Sequence, residues 1–365
     1  MARKNRKPSS FKCDHSLNTR CPICCIIPPH ILENVASNGT SQQRHWAFQT
    51  LNLSAQLRGR RDIVGNISFA PSPGEKRRSI YDAKNMQILP GTLVRNEGDP
   101  PSTDEAVNEA YDAAGYTYDL FYEIFERNSI DNQGRRLDST VHYGVKYENA
   151  FWNGDQMVYG DGDGELFSRF TKCIDVIAHE LTHGVTQYEA ALFYYGESGA
   201  LNESFSDVFG SLVKQRVKNQ TAEEADWIIG EGLLMPTVKG IGIRSMKEPG
   251  TAYDDPVLGK DPQPGHVKDQ YVGWADNGGV HINSGIPNRA FYLAAMEIGG
   301  YAWEKAGKIW YIALCDRLRA KANFKKAAEV TVQIASELYG DGSKEHQAVH
   351  HAWQQVGVLE VGSGE

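Results

Sequence analysis

Residues 176–190 read VIAHELTHGVTQYEA, and the interpretation of the whole chain hangs on them. Ile174, Ile177, Leu181 and Val185 recur every three or four residues, so the stretch that begins near Thr171 is predicted to be a helix with one apolar stripe. On a helix, residues four apart project from nearly the same face. His179 and His183 can then offer imidazole nitrogens to one metal ion, and Glu180, one step round, can reach a water on that ion. Two surface histidines would show the same spacing, so the surrounding sequence has to decide.

A catalytic zinc wants a third protein ligand and an open place for water. In a metzincin a Gly would stand at 186 and a His at 189; Thr186 and Glu189 stand there and exclude that pattern. Downstream, NESFSD at 202–207 offers Glu203, with 19 residues between it and His183. Asp207, four residues further on the same helical face, can accept the second N–H of a ligand histidine.

Together with NAFWNGDQMVYGDGDG at 149–164, SGALNESFSDVFGSLV at 198–213, RSM at 244–246 and DNGGVHINSGIPNRAFYLA at 276–294, these segments carry a resemblance. Over nearly all of 79–360 the chain resembles the thermolysin family of zinc peptidases, and it looks closest to the protealysin-like branch with short propeptides. The resemblance implies an α+β fold of two domains, a β-rich N-terminal one and a mainly helical C-terminal one, with the catalytic cleft between them. It implies zinc held by His179, His183 and Glu203, and an endopeptidase in which a zinc-activated water attacks the peptide carbonyl. Glu180 would take the water proton and pass it to the leaving amine. His281, oriented by Asp276, and Tyr194 would be donors to the oxyanion. Asn149 and the backbone of Ala150 would hold the substrate main chain, and Arg244 a substrate carbonyl. Phe167, Phe170, Val176 and Ile243 would line a primary pocket favouring cleavage before a bulky apolar residue. A non-catalytic scaffold would be expected to lose Glu180 or His281, and both are present; activity on N-terminally blocked peptides would exclude an aminopeptidase.

One part departs from the family. Of five acidic positions that often bind a calcium pair, Asp175, Asp226 and Glu231 keep acids, but Lys214 and Ile228 replace the other two. Calcium needs 6–8 oxygen ligands. A lysine ammonium can serve as a fixed cation there, which leaves one calcium ion or none. The Asp161 and Asp163 turn is read as structural rather than as a calcium loop.

The bulk numbers agree. A chain of 365 residues, 41% hydrophobic and 10% aromatic, can bury real cores in about two to three domains. No apolar run approaches the ~18 residues that span a bilayer, so no membrane partner is expected. Residues 1–78 carry 13 Lys/Arg against 4 Asp/Glu, a net of +9; the whole chain carries −8, which leaves −17 for 79–365. Opposite charge favours association of the two parts, and no basic stripe continues onward to bind nucleic acid. The expected partners are protein or peptide substrates and, in cis, the chain's own N-terminal segment, in a monomer.

That segment sets the domain reading: 1–70 a propeptide with a cysteine-rich start, 71–190 the β-rich domain closed by the motif helix, 191–365 the helical domain. Pro28-Pro29-His30-Ile31-Leu32 resembles the short proline motif of protealysin-like propeptides and, as an extended polyproline stretch, would lie in the cleft. Short helices are expected at Asn34–Ala36 and Arg44–Leu53, and exposed linker at Arg58–Arg61 and Pro71–Gly74. Cys13, His15, Cys21, Cys24 and Cys25 could hold a second, structural zinc, form disulfides, or supply a thiolate to the catalytic zinc; the structural zinc is the first choice. Cys173 and Cys315 are expected to be reduced core thiols. The basic start lacks the apolar stretch of a secretory signal, so synthesis in the cytoplasm is expected, with export by another, non-Sec route left open.

Overall fold

The computed structural model describes residues 24–60 and 74–360. The described chain begins with β1 (Cys24–Cys25), α1 (Pro29–Asn38) and α2 (Ser41–Arg60). The sheet domain adds β2 (Arg78–Asp82), β3 (Thr92–Asn96), α3 (Glu105–Phe125), β4 (Leu137–Val141), β5 (Ala150–Trp152) and β6 (Met157–Tyr159). Next come α4 (Ile174–Tyr188), α5 (Gly196–Lys218), a short ribbon of β7 (Ile228–Ile229) with β8 (Arg244–Ser245), and α6 (Ala275–Asn283). The helices α7 (Gly285–Ile298), α8 (Ala306–Ile312), α9 (Phe324–Tyr339) and α10 (Lys344–Gln355) complete the chain.

The six-stranded sheet runs in the order β1-β5-β6-β4-β2-β3. Its β2–β4 and β4–β6 pairings are parallel and the others antiparallel. β1 therefore sits at the edge, on β5, with Cys24 opposite Trp152 and Cys25 opposite Phe151.

α4 lies between this sheet and the helical half, packed on β5 and α3 on one side and on α5 on the other. That position explains its burial all round: every residue from Asp175 to Thr186 is buried, whereas a one-sided surface helix would show a polar face. The approach of α5 is close because Gly210 has no side chain. A Cβ there would stand 2.6 Å from the Asp175 carbonyl oxygen, inside contact distance. Asp175 in the first turn of α4 also complements the helix dipole.

Several local expectations are corrected. Only Pro28 of the proline motif is extended (φ −62°, ψ 147°); Pro29 opens α1, at the one helical position where a missing N–H costs nothing. Arg58–Arg60 close α2 rather than forming linker, and Arg61 and Pro71–Pro73 lie outside the described residues. β3 starts at Thr92, well after a turn in which Lys84 and Asn85 take positive φ. β4 stops at Val141 because His142 and Gly144 turn left-handed. Residues 150–159 split into a hairpin, whose turn is closed by Asn153 Oδ1 accepting from the backbone N–H groups of Asp155 and Gln156. α8 runs from Ala306 to Ile312, widens to Arg317 and ends at Leu318.

Candidate active site

His179 and His183 project from α4 and Glu203 from α5, and the packing of the two helices brings them together at full burial. The Nε2 atoms of the two histidines are 3.0 Å apart. His179 Nε2 lies 3.4 Å from Glu203 Oε2, and His183 Nε2 lies 3.5 Å from Glu203 Oε1. Ligands bound tetrahedrally to one zinc at ~2.0–2.2 Å stand about 3.3–3.6 Å apart; the two edges to Glu203 match that spacing and the edge between the histidines is a few tenths of an ångström shorter. Glu203 Oε2 is buried without a hydrogen-bond partner, which is costly unless a cation satisfies it. The donor set and this orphaned oxygen fit zinc.

The far side of each imidazole is fixed. His179 Nδ1 donates to Asp207 Oδ1 (2.8 Å). His183 Nδ1 donates to Asn202 Oδ1 (2.8 Å), with Ser206 Oγ at 3.0 Å. Both Nε2 lone pairs are thereby aimed at one point. Burial alone would suppress protonation of His179, but the carboxylates of Asp207 and Glu203 outweigh it and raise its pKa to about 9. At His183 burial wins, and the pKa falls to about 3.

Glu180 Oε2 accepts from the backbone N–H of Trp152 (3.0 Å), while Oε1 is buried and unpartnered. Burial pushes this carboxyl up to about 8, the direction that suits a group meant to take and return a proton. Tyr194 donates a hydrogen bond to Glu203 Oε1, and its hydroxyl lies 3.1 Å from His281 Nε2. His281 Nδ1 donates to Asp276 Oδ1 (2.6 Å), and Asp276 Oδ2 accepts the His281 backbone N–H (2.8 Å). The run Asp276–Gly279 is left-handed and turns that carboxylate back onto the helical turn carrying His281. Burial opposes the charge on His281, yet Asp276 and Glu203 together raise its pKa, so both ring nitrogens can donate.

The cleft holds the chain's own N-terminal segment. The backbone N–H of Ile26 donates to the Ala150 carbonyl (3.2 Å), and that of Ile27 to Asn149 Oδ1 (3.0 Å). Arg244 donates to the Ile26 carbonyl (3.1 Å), and His281 Nε2 lies 3.1 Å from the Cys25 carbonyl oxygen. α1 and α2 anchor the segment from outside. His30 Nε2 meets the Tyr253 hydroxyl (3.0 Å), Asn34 donates to the Leu258 carbonyl (2.9 Å), and Ser54 meets the Tyr147 hydroxyl (2.9 Å). The residue order in the cleft differs from expectation: the extended part is Cys24–Pro28, and the proline motif serves to end it and start a helix.

Sequence profiles decide the family. The thermolysin metallopeptidase catalytic domain matches residues 71–187, and the thermolysin metallopeptidase alpha-helical domain matches residues 190–358. The chain belongs to the thermolysin family. It is 53% identical over 346 residues to "Extracellular metalloprotease" of Pectobacterium carotovorum subsp. carotovorum, covering 92% of this chain and 97% of that one. It is 43% identical over 288 residues to "Thermolysin" of Alicyclobacillus acidocaldarius, covering 76% of this chain and 50% of that one. Among solved structures, the precursor of protealysin, a metalloproteinase from Serratia proteamaculans, is 55% identical with a TM-score of 0.85, over 92% of this chain and all of that one. This thermolysin-family chain is thus a zinc metalloendopeptidase with the two-domain α+β fold of its relatives.

Phe167, Phe170, Val176 and Ile243 are buried in the large apolar core that runs through both domains, with the Phe167 and Phe170 rings 6.2 Å apart. Lys214 donates to Asp226 (2.8 Å) and to the Ile228 carbonyl and lies 3.1 Å from Asp175, while Glu231 pairs instead with Lys218 (2.9 Å). Asp163 Oδ1 accepts three backbone N–H groups, from Glu165, Leu166 and Phe167, as a structural turn does. Cys173 is buried and Cys315 half-buried, and neither forms a disulfide.

Of the cysteine group, Cys24 and Cys25 fall within the described residues. Cys13, His15 and Cys21 lie outside the described residues. Cys24 and Cys25 are neighbours on a strand and point to opposite faces. Cys24 packs with Tyr194 and Val280, and Cys25 with Phe151 and Leu53. The two do not converge on a common ion. Three features escaped the sequence reading: the Asn202 side chain behind His183, the Trp152 N–H on Glu180, and the position of Cys24. Asn202 adjoins the third ligand in sequence, but nothing in its spacing marks it.

Proposed function

We propose that the chain is the precursor of a zinc endopeptidase in which Glu180 is the general base and residues up to about 70 block the cleft until removed. The observation that carries this reading is the meeting of His179, His183 and Glu203 with the unpartnered Glu180 Oε1 beside them. Bound zinc would supply Lewis acidity and lower the pKa of a water there. Glu180 would take that proton and hand it to the leaving amine. His281 and Tyr194 would donate to the developing oxyanion, with Asp276 holding His281 in place. Asn149, the Ala150 carbonyl and Arg244 would hold an extended substrate as they hold Ile26 and Ile27. Phe167, Phe170, Val176 and Ile243 would line the pocket for a bulky apolar residue after the cut.

Autoinhibition is supported by the occupation of these same groups by Cys25–Ile27. The processed enzyme would act outside the cell, in keeping with the name of the Pectobacterium relative. The test is to incubate purified full-length chain, sequence the new N-termini, and follow cleavage of an N-terminally blocked peptide. Activity should appear with a cut near residue 70 and vanish with a chelator or with Glu180→Gln. An intact chain that is already fully active would end the autoinhibition reading. Chelator-resistant activity would end the metal reading.

A further inference from the structure

The N-terminal segment lies on β5 with a peptide bond presented to the catalytic groups. The Cys25 carbonyl oxygen is 3.1 Å from His281 Nε2, the next carbonyl is held by Arg244, and the following N–H by Asn149. On the proposed roles, the bond between Cys25 and Ile26 therefore stands where a scissile bond would stand. A bond so placed would be cut if water occupied the metal's open corner. Something must keep that corner closed.

One residue before Cys25 stands Cys24, only 1% exposed and packed against Tyr194. Its Sγ belongs to a set with a ligand atom of His183 and of Glu203 in which all three lie within 4.8 Å of one another. Glu203 Oε2, buried and unpartnered, independently marks the same spot as a cation site. Zinc accepts mixed thiolate, imidazole and carboxylate ligands, with sulfur at about 2.3 Å, and a structural site is one in which all four corners are taken.

We propose that in the precursor Cys24 is the fourth ligand of the active-site zinc, its sulfur standing where water stands in the processed enzyme. This rests on the proposed metal site and adds to it a reason for latency. The backbone of residues 25–27 fills the substrate's place, and the sulfur of residue 24 displaces the reagent. A zinc ion closed in this way lacks the open position that catalytic sites keep. Removal of the N-terminal segment then restores water and substrate access in one event. The adjacent Cys25 cannot do the same, because its side chain faces the Phe151 cluster.

Zinc-edge X-ray absorption on the full-length chain loaded with one equivalent of zinc tests this. Cys13→Ser and Cys21→Ser in that chain remove the other N-terminal thiols outside the strand. The expected result is one sulfur at about 2.3 Å beside nitrogen and oxygen ligands, lost on Cys24→Ala and retained on Cys25→Ala. A zinc shell without sulfur in the chain that keeps Cys24, or sulfur that persists in Cys24→Ala, would overturn the proposal. The first of these needs no substitution at residue 24, so a misfolded Cys24→Ala does not spare it. Failure of the metal site itself would read differently: zinc whose shell is unaltered by His179→Ala is not at the site, which sinks the metallopeptidase geometry along with the thiolate.

Discussion

Arg244 and Asp207 form a buried two-pronged ion pair, Nε to Oδ2 at 2.7 Å and a terminal nitrogen to Oδ1 at 2.8 Å. The same Asp207 holds His179 Nδ1, and the remaining Arg244 nitrogen holds the Ile26 carbonyl. One carboxylate thus ties His179, a metal ligand on the proposed reading, to the residue that holds the Ile26 carbonyl in the cleft. Asn288 donates to Asp207 Oδ2 as well (2.8 Å), so the carboxylate is fully engaged. Burial pushes against its ionisation, and Arg244 and His179 outweigh burial and bring the Asp207 pKa down to about 2.

Asp207→Asn should therefore weaken two functions together. The amide would still fill the space, but it can no longer neutralise Arg244 or orient His179 through a charge-assisted bond. Loss of such an outer partner typically costs 10–100-fold in metal affinity. Competition of the variant against a chromophoric chelator should show a drop of that order, with a raised KM in the processed enzyme because Arg244 has lost its anchor. Unchanged zinc affinity would mean that His179 is held by packing alone.

Glu180→Gln should leave zinc binding intact and remove turnover. The Gln side chain can keep the hydrogen bond from Trp152 N–H but cannot accept and return a proton. General-base loss is worth about 10²–10⁴ in rate. Stopped processing should accompany it if maturation is autocatalytic, giving an intact chain on long incubation. A variant that binds one zinc yet turns over a blocked peptide within tenfold of the parent would remove Glu180 from its role.

His142 bridges two elements: Nδ1 donates to Asp161 (2.9 Å) and Nε2 to Asp104 (2.8 Å), the residue that caps α3. The Asp161 bond raises its pKa, burial lowers it, and with Asp104 the balance lands at about 9 against an ordinary 6.5. A pKa raised in the folded state stabilises fully below the unfolded value and is lost as pH climbs through the folded one. The stability gap between the parent chain and His142→Gln, about 1–3 kcal/mol from a shift of this size after solvent screening, should be present at pH 6 and nearly gone at pH 9.5. Denaturant unfolding at the two pH values measures it. An equal gap at both would show that the bridge acts without charge.

The meeting of His179 and His183 was legible because helical periodicity turns a spacing of four into one face. A second helix bearing Glu203 and Asp207, also four apart, repeats the same geometry. Phe167 or Ile243 could be assigned to a pocket only by resemblance, since an apolar residue reads alike in a pocket wall and in a core. The end of β4 at Val141 was not legible either, because the positive φ of His142 is a property of the chain path. The proline motif misled for a related reason. Proline's fixed φ suits both an extended segment and the first turn of a helix, and the following Ile31, Leu32 and Val35 bury themselves only if the helix forms. The place of Cys24 depends on pairing across more than a hundred residues, Cys24 opposite Trp152, which no local pattern encodes.

Lys214 gives the last prediction. Its ammonium lies between Asp175, which is 1% exposed, and Asp226, and donates also to the Ile228 carbonyl. Burial pulls against the charge, but the two aspartates hold the Lys214 pKa above its ordinary range, so it stays a cation throughout the working pH range. A single fixed positive charge with three donors satisfies here the acids that would otherwise collect a divalent ion, and Glu231 is already engaged by Lys218. Thermal unfolding of the chain should accordingly be insensitive to a calcium-selective chelator and to added calcium. Lys214→Met keeps the volume and strands the buried Asp175 without its cation, which is expected to cost about 3–5 kcal/mol. Calcium that raises the melting temperature of the parent chain would show that the ammonium has not replaced the ion. A Lys214→Met chain as stable as its parent would show that Asp175 is satisfied by its bond from the Gly230 N–H (3.0 Å) and needs no cation at all.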